Sequence, residues 1–355
     1  MKNRRNRVLI VATSRKTRGG ITSVVKAHET GHIWQKYNCK WLETHNDKSV
    51  VHKLIYIIKS FIIYLFILPS YYLVHIHTSE PSSALRKLPF LFIANLFNKK
   101  IIVHFHSFSP KSTINSKYKK VYFYLFQKAD IILVLSEYWK NELQKVFKLE
   151  NKIKVLYNPC SNPDFSTKHN KQKHILYAGT INARKGYADL IKAFSQISNK
   201  LPDWKIVFAG NGEIEKAKLL AKQLQVDTQI VFLGWINGSE KSKAFQQASA
   251  FCLPSYAEGF PMAILDAWAY GLPVVTTPVG GLSDVLRDGK NALVFTPGDI
   301  EKLAQQLQKI VEDKELRKAI AEESVNLNNK VFNQSVICLQ LDNIYSELFN
   351  HKNDK

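Results

Sequence analysis

From Ser255 to Val275 the chain reads SYAEGFPMAILDAWAYGLPVV. A strand-like run ends just before it, Glu258 and Gly259 fall in a turn, and Pro261 stands where a helix can begin. Proline's fixed φ and missing N–H are harmless at that position. Backbone N–H groups between Gly259 and Ala263 point out of such a helix start, with the positive end of the helix dipole behind them. That arrangement binds phosphates or sugar hydroxyls. Glu258, beside the turn, can accept hydrogen bonds from hydroxyls, and Asp266, further into the helix, can do the same along the ligand. Two carboxylates near an anion site suit a nucleotide sugar. The alternative for Asp266 alone is a helix-surface or capping role.

Three further places carry candidate chemistry. VLIVATSRKTRGG, from Val8, gives a strand, a basic loop and then Gly19-Gly20 opening a helix. Glycines there let backbone come close to a diphosphate. His104 and His106 end another strand on the same face, a spacing compatible with metal ligation, but no carboxylate or thiol cluster accompanies them in the sequence. His75 and His77 on the preceding strand are either structural or line an acceptor site. Gly210 and Gly212 form a tight turn without the third glycine of a dinucleotide fingerprint, which argues against a nicotinamide enzyme. The four cysteines, Cys39, Cys160, Cys252 and Cys338, lie too far apart for a Cys-x-x-Cys zinc site or a disulfide scaffold. No Ser-His-Asp or Cys-His arrangement supports a hydrolase.

The elements that must hold these residues alternate. Val- and Ile-rich runs predict strands at 8–12, 72–77, 100–106, 131–135, 174–178, 205–209, 229–233, 250–253, 273–276 and 292–295, each flanked by turn residues. Amphipathic segments such as 187–198, 214–224 and 300–312 lie between them. Strand–helix alternation predicts an α/β fold with parallel sheets built from crossover units. At 355 residues two domains are expected, with a seam in the polar, Pro-containing stretch 158–173. The ligand site is then expected beyond the carboxyl ends of the strands, in a cleft between two doubly wound domains.

Charge divides along the same seam. The chain has 50 Lys+Arg against 29 Asp+Glu, a formal charge of +21. Residues 1–165 hold 27 basic and 9 acidic residues, and residues 166–355 hold 23 and 20. Such asymmetry marks a surface for an anionic membrane or a polyanion. The basic start (Lys2, Arg4, Arg5, Arg7) precedes an apolar run too short for a signal-peptide core. Residues 50–68 predict an apolar, aromatic-rich helix. It is interrupted by Lys59 and followed by Pro69, so its longest uncharged piece falls short of the roughly 20 residues of a spanning helix. It therefore lies either in a membrane interface or against a sheet.

The 258–266 motif resembles the Glu-x7-Glu signature of the family 4 (group 1) retaining glycosyltransferases, with Asp266 in place of the second Glu. YAGTINARKGYADLIKAF, from Tyr177, is similar to that family's strand–loop–helix in which a basic residue holds the donor pyrophosphate. Thr180 stands where the family usually has Arg. The resemblance implies a GT-B fold, with two Rossmann-like doubly wound parallel-sheet domains facing across a cleft. Its expected parts are an acceptor-side domain at 1–165, a donor domain at 166–330, and a C-terminal helix within 331–355 packing back on the first domain. It implies Lys185, Glu258 and His106 as catalytic residues, with Lys185 neutralising the departing nucleoside diphosphate. Gly19, Gly20, Gly259, Phe260, Pro261, Met262 and Asp266 are implied as donor-binding. Arg184 is either a substitute for the missing Arg or a solvated neighbour. No cofactor and no metal are expected. The expected partners are a nucleotide-sugar donor, probed first as a UDP-sugar, a lipid-linked or oligosaccharide acceptor, and an anionic membrane surface, with no nucleic acid. A peripheral place on the inner face of the cytoplasmic membrane follows from that reading, with a non-catalytic nucleotide-sugar-binding subunit as the alternative.

Overall fold

The computed structural model describes residues 6–46, 50–160, 163 and 165–350; Lys2, Arg4 and Arg5 of the basic start, and 351–355 of the expected terminal segment, lie outside them. The chain forms two compact units, Met1–Pro159 with Gln334–Lys355, and Cys160–Asn333. Counted by unit, the charges are 29 basic against 11 acidic residues in the first and 21 against 18 in the second. The excess therefore stays on the first unit.

Unit 1 runs β1 (Val8–Ala12), α1 (Gly20–Glu29), α2 (His32–Lys36), β2 (Lys40–Glu43), α3 (Val50–Ile67), β3 (Leu73–Thr78), α4 (Pro81–Leu96), β4 (Lys100–Phe105), α5 (Lys119–Lys128), β5 (Ile131–Val134), α6 (Glu137–Phe147) and β6 (Ile153–Val155). Its six strands pair in parallel in the order β2-β1-β3-β4-β5-β6. Unit 2 runs β7 (His174–Ala178), α7 (Tyr187–Ser195), β8 (Lys205–Ala209), α8 (Ile214–Gln223), β9 (Ile230–Gly234), α9 (Gly238–Gln247), β10 (Ala250–Leu253), α10 (Met262–Ala269), β11 (Val274–Thr276), β12 (Leu293–Val294), α11 (Ile300–Glu312) and α12 (Lys314–Leu327). Its sheet is also parallel, in the order β12-β11-β10-β7-β8-β9. The last helix, α13 (Gln334–Asn350), belongs to unit 1.

Both sheets are covered on two faces, which is why their strands read as unbroken apolar runs rather than alternating ones. In unit 1, Val74, Ile76, Ile101, Val103 and Phe105 pack under α3 to α6. Leu73, Ile102 and Leu133, on the opposite face, meet Val25 of α1 and Ile337, Leu341 and Tyr345 of α13. β2 was not predicted, because KWLE has charged ends and only two apolar residues. Pairing with β1, Leu9 opposite Lys40 through Ala12 opposite Glu43, makes it a strand.

The apolar helix also differs from expectation. α3 continues through Lys59, and the window His52–Ser70 is 19 residues long, enough by length and composition to cross a membrane, yet only 17% buried. Tyr64 and Leu68 are buried against α4, whereas Leu54, Ile55, Ile58, Ile62 and Phe66 are exposed.

α13 is tied to unit 1 by polar as well as apolar contacts. Lys36 lies 2.6 Å from Asp342, the Tyr37 hydroxyl donates to the same carboxylate at 2.6 Å, and the Tyr37 ring stacks on Phe349 at 5.4 Å. Leu341 is fully buried here. Truncating such a side chain removes transfer energy and leaves a cavity, at a cost of about 2–5 kcal/mol. Leu341→Ala should lower unit 1 stability by that amount in denaturant titration, with little change in the unfolding of unit 2.

Candidate functional site

In unit 2 the strand order reverses between β7 and β10, which are adjacent although three crossovers apart. At such a switch point the loops leaving the two strands diverge and open a crevice beyond the carboxyl ends. The loop after β7 carries Arg184 and Lys185, and the loop after β10 carries Ser255 and Glu258.

The Asn182 side chain accepts from the Lys185 amide at 3.1 Å, shaping a short turn before α7. Gly186 then takes a left-handed φ of +68°, and a Cβ there would stand 2.0 Å from the Pro254 carbonyl oxygen. Only glycine allows both the conformation and the approach. The two loops are further joined where the Tyr256 amide donates to the Arg184 carbonyl at 2.8 Å and the Arg184 guanidinium donates to the Ala257 carbonyl. A third loop, after β11, closes on the same place: Gly280 has φ +57°, and its Cβ would fall 1.8 Å from the Glu258 carbonyl oxygen.

This scaffold converges on Glu258. One carboxylate oxygen is 2.9 Å from Lys185 Nζ and accepts from Ser255 Oγ at 2.9 Å; the other is 3.2 Å from Arg184 Nη1. Glu258 is 6% exposed. Burial alone would raise its pKa, but the Lys185 ammonium, the Arg184 guanidinium and the hydrogen bonds from Lys185 and Ser255 outweigh it and hold the carboxyl below its ordinary value. Gly179, at φ +150°, leaves room for the lysine stem; a Cβ there would be 3.2 Å from Lys185 Cδ and Nζ. Two cations against one carboxylate leave the crevice net positive, a place for an anion.

The remaining sequence-predicted residues sit as follows. Gly259 to Met262 lead into α10, with Pro261 as the N-cap in extended conformation and Met262 the first helical residue, one position later than predicted. The Phe260 ring packs on Phe332 at 5.2 Å, so its side chain belongs to the core and only its backbone faces the helix start. Asp266 has a partner of its own. Its Oδ2 is 2.7 Å from Lys241 Nζ on α9, while Oδ1 is buried without a hydrogen-bond partner. Gly19 and Gly20 belong to unit 1, at the start of α1 beyond β1, and a Cβ at either would touch nothing of the chain. His106, also in unit 1, follows β4. Its amide donates to the Thr78 carbonyl, and its Nε2 lies 3.0 Å from His77 Nδ1.

Sequence reading missed Ser255 and Lys241. Ser255 lies three residues before Glu258 in the same loop, a spacing that could have drawn attention. Lys241 is 25 residues upstream of Asp266 on another helix, and only packing reveals the pair.

Two family models cover most of the chain: Glycosyltransferase Family 4 over residues 45–161 and Glycosyl transferases group 1 over residues 161–326. The chain belongs to the family 4, group 1 glycosyltransferases. It is 30% identical over 202 residues, 55% of either chain, to an uncharacterized glycosyltransferase of Haemophilus influenzae. With the lipopolysaccharide 1,6-galactosyltransferase of Escherichia coli it shares 28% identity over 192 residues, 52% of this chain and 53% of that one. The chain spans about half the length of the curated relatives it matches first. Anabaena HepE, solved in complex with UDP, superimposes with a TM-score of 0.77 over 96% of this chain and all of that one, at 16% identity. The fold is GT-B, two α/β units each built on a six-stranded parallel sheet.

Because the folded-state pKa of Glu258 is depressed, its stabilising contribution is present above the ordinary value of 4.5 and is lost as pH falls through the folded pKa. The stability difference between the native chain and Glu258→Gln should therefore be widest near neutral pH and shrink in acid. Urea titrations across that range check this; a difference that grows on acidification would contradict it.

Proposed function

We propose that this chain transfers a sugar from a nucleoside diphosphate sugar to a hydroxyl of a lipid-linked or oligosaccharide acceptor, with retention of anomeric configuration. The observation that carries the reading is the buried carboxylate gripped by Lys185 and Arg184 at the switch point of unit 2. UDP is the proposed nucleotide, in keeping with the UDP bound to Anabaena HepE. A glycan of the cell envelope is the proposed acceptor class, in keeping with the lipopolysaccharide galactosyltransferase relative.

In this reading Lys185 and Arg184 turn from Glu258 toward the arriving diphosphate. The bond between the sugar's anomeric carbon and the diphosphate oxygen breaks, and its electron pair goes to that oxygen, where the two cations and the amides at the start of α10 stabilise it. The acceptor oxygen bonds to the anomeric carbon on the face that the diphosphate leaves, and its proton passes to the departing diphosphate. Glu258, released from its ion pairs, accepts hydrogen bonds from the donor sugar. Asp266, held ionised by Lys241, keeps Oδ1 for the ribose hydroxyls. The Gly20 amide is proposed as a diphosphate donor, with Gly19 giving it clearance, and His106 as a contact for the donor sugar and the acceptor hydroxyl. Since the chain brings two cations of its own, the transfer step is proposed to need no metal ion and no cofactor.

Unit 1 supports a membrane-facing site of action, proposed as peripheral on the inner face of the cytoplasmic membrane. α3, α4 and α5 lie side by side, and Ile58, Ile62, Phe66, Phe92, Leu96 and Phe123 are exposed on them. A groove of about 500 Å³ between α4 and α5 is lined by Leu88, Pro89, Phe92, Lys120, Val121 and Tyr124. Exposed apolar area beside Lys59, Lys119 and Lys120 fits the interface of an anionic bilayer.

Assay against UDP- and GDP-sugars with membrane extract, read by mass spectrometry, should give a transferred sugar. Lys185→Ala and Glu258→Gln should each lower turnover by roughly 10²–10³-fold while the chain stays folded. A wild type that binds nucleotide sugar without turnover would overturn the assignment. In vesicle co-sedimentation at low salt the chain should prefer anionic over neutral lipid, and Phe66→Glu with Ile58→Glu should weaken that binding. Equal binding to both lipids would sink the membrane proposal.

A further inference from the structure

The face of the unit 1 sheet that meets α1 and α13 holds an unusual group of side chains. β3 places His75 and His77 on that face, two residues apart, and β4 places His104 directly opposite His77. All three are fully or almost fully buried. Their ring centroids lie 4.4 to 5.4 Å apart, and one ring nitrogen from each falls within 4.8 Å of the others.

Hydrogen bonding in the group is one-sided. His75 Nδ1 is 2.7 Å from the Tyr345 hydroxyl of α13, and His77 Nδ1 is 3.0 Å from His106 Nε2. His75 Nε2, His77 Nε2 and both ring nitrogens of His104 have no hydrogen-bond partner. In the tautomer that lets Nδ1 donate to Tyr345 and to His106, each Nε2 carries a lone pair. A buried polar atom left unpaired costs about 1–3 kcal/mol, and here four are gathered in one place. Burial keeps these rings neutral, which is their ligating form. Histidines that bind metals show this same division: one nitrogen is held by an outer partner that fixes the ring and the other faces the ion.

We propose that His75, His77 and His104 form a buried binding site for a late first-row transition-metal ion, zinc being the first candidate, held between β3 and β4 with Tyr345 and His106 as the outer partners. Three imidazoles without a carboxylate select zinc, copper or nickel over magnesium or calcium, which need oxygen ligands. Zinc–nitrogen bonds of about 2.0–2.1 Å bring tetrahedral ligand nitrogens to roughly 3.4 Å of one another. The rings therefore turn inward by about 1 Å on loading. Three protein ligands leave a fourth position for water. The ion's role is structural: it gives four orphaned nitrogens a common partner and locks two neighbouring strands. The site lies wholly in unit 1, and the proposal stands independently of the donor chemistry assigned to unit 2.

The test uses the untagged full-length chain, stripped with a chelator and then titrated with zinc and, separately, with cobalt(II). The expected result is one equivalent bound per chain, a ligand-field band for cobalt, and a thermal midpoint that rises with free ion concentration. His104→Phe keeps a flat ring in the stack and should abolish both the band and the metal-dependent midpoint while leaving the far-UV circular dichroism unchanged. Failure of the wild type to bind either ion overturns the proposal. So does equal uptake by His104→Phe. Should that variant not fold, Tyr345→Phe supplies a second reading: it frees His75 to turn, and cobalt affinity should fall by roughly 10–100-fold, an unchanged affinity counting against the site.

Discussion

A carboxylate this deeply buried survives as an anion only because two cations reach it, and unit 2 is arranged around that requirement. Removing a charge from water carries a large penalty, and a partner repays it only at close range with further hydrogen bonds. Lys185 and Arg184 must therefore come within hydrogen-bonding distance of Glu258, which lies more than 70 residues away in the sequence. They do so because two loops are pressed together at places where no side chain fits. Gly186 sits against Pro254, and Gly280 sits against the Glu258 backbone. The glycines, the reversal of strand order between β7 and β10, and the hydrogen bonds joining the loops are all conditions for one short electrostatic contact. The same contact leaves the crevice ready for an anion, since a diphosphate offers the cations a stronger partner than a single carboxylate.

Much of this was legible before any coordinates. Strands buried on both faces carry a strong signal, and runs such as Ile131–Val134 or His174–Ala178 fell where the Val- and Ile-rich segments predicted. The linkage of Lys185-Gly186 with the Glu258 turn was also readable, because each motif is local. What escaped is what neighbours decide. KWLE becomes β2 only because β1 offers an unpaired edge. The apolar helix read as interrupted at Lys59, yet a lysine on an exposed face does not stop a helix; it carries its charge outward. Lys241 acquires meaning only from the packing of α9 on α10.

The histidines teach a related lesson. His104 and His106 draw attention in the sequence as a pair on one strand, and the search there for a complementary carboxylate or thiol finds none. The complement is another pair, His75 and His77, nearly 30 residues earlier, brought opposite by parallel pairing in register. Parallel strands hide their cross-strand neighbours behind a whole crossover helix, so a cluster of ligands can be complete in space and invisible along the chain.

The return of α13 to unit 1 has a consequence for biosynthesis. Unit 2 is continuous in sequence and can close its core as soon as its last residue leaves the ribosome. Unit 1 cannot: the sheet face bearing Leu73, Ile102 and Leu133 waits for Ile337, Leu341 and Tyr345. For the whole time that unit 2 is being synthesised, the first-made half of the protein carries an uncovered apolar face. Domains usually complete themselves in the order they emerge. Here the order is inverted, and the nascent first unit is a natural client for whatever shields hydrophobic surface in the cell.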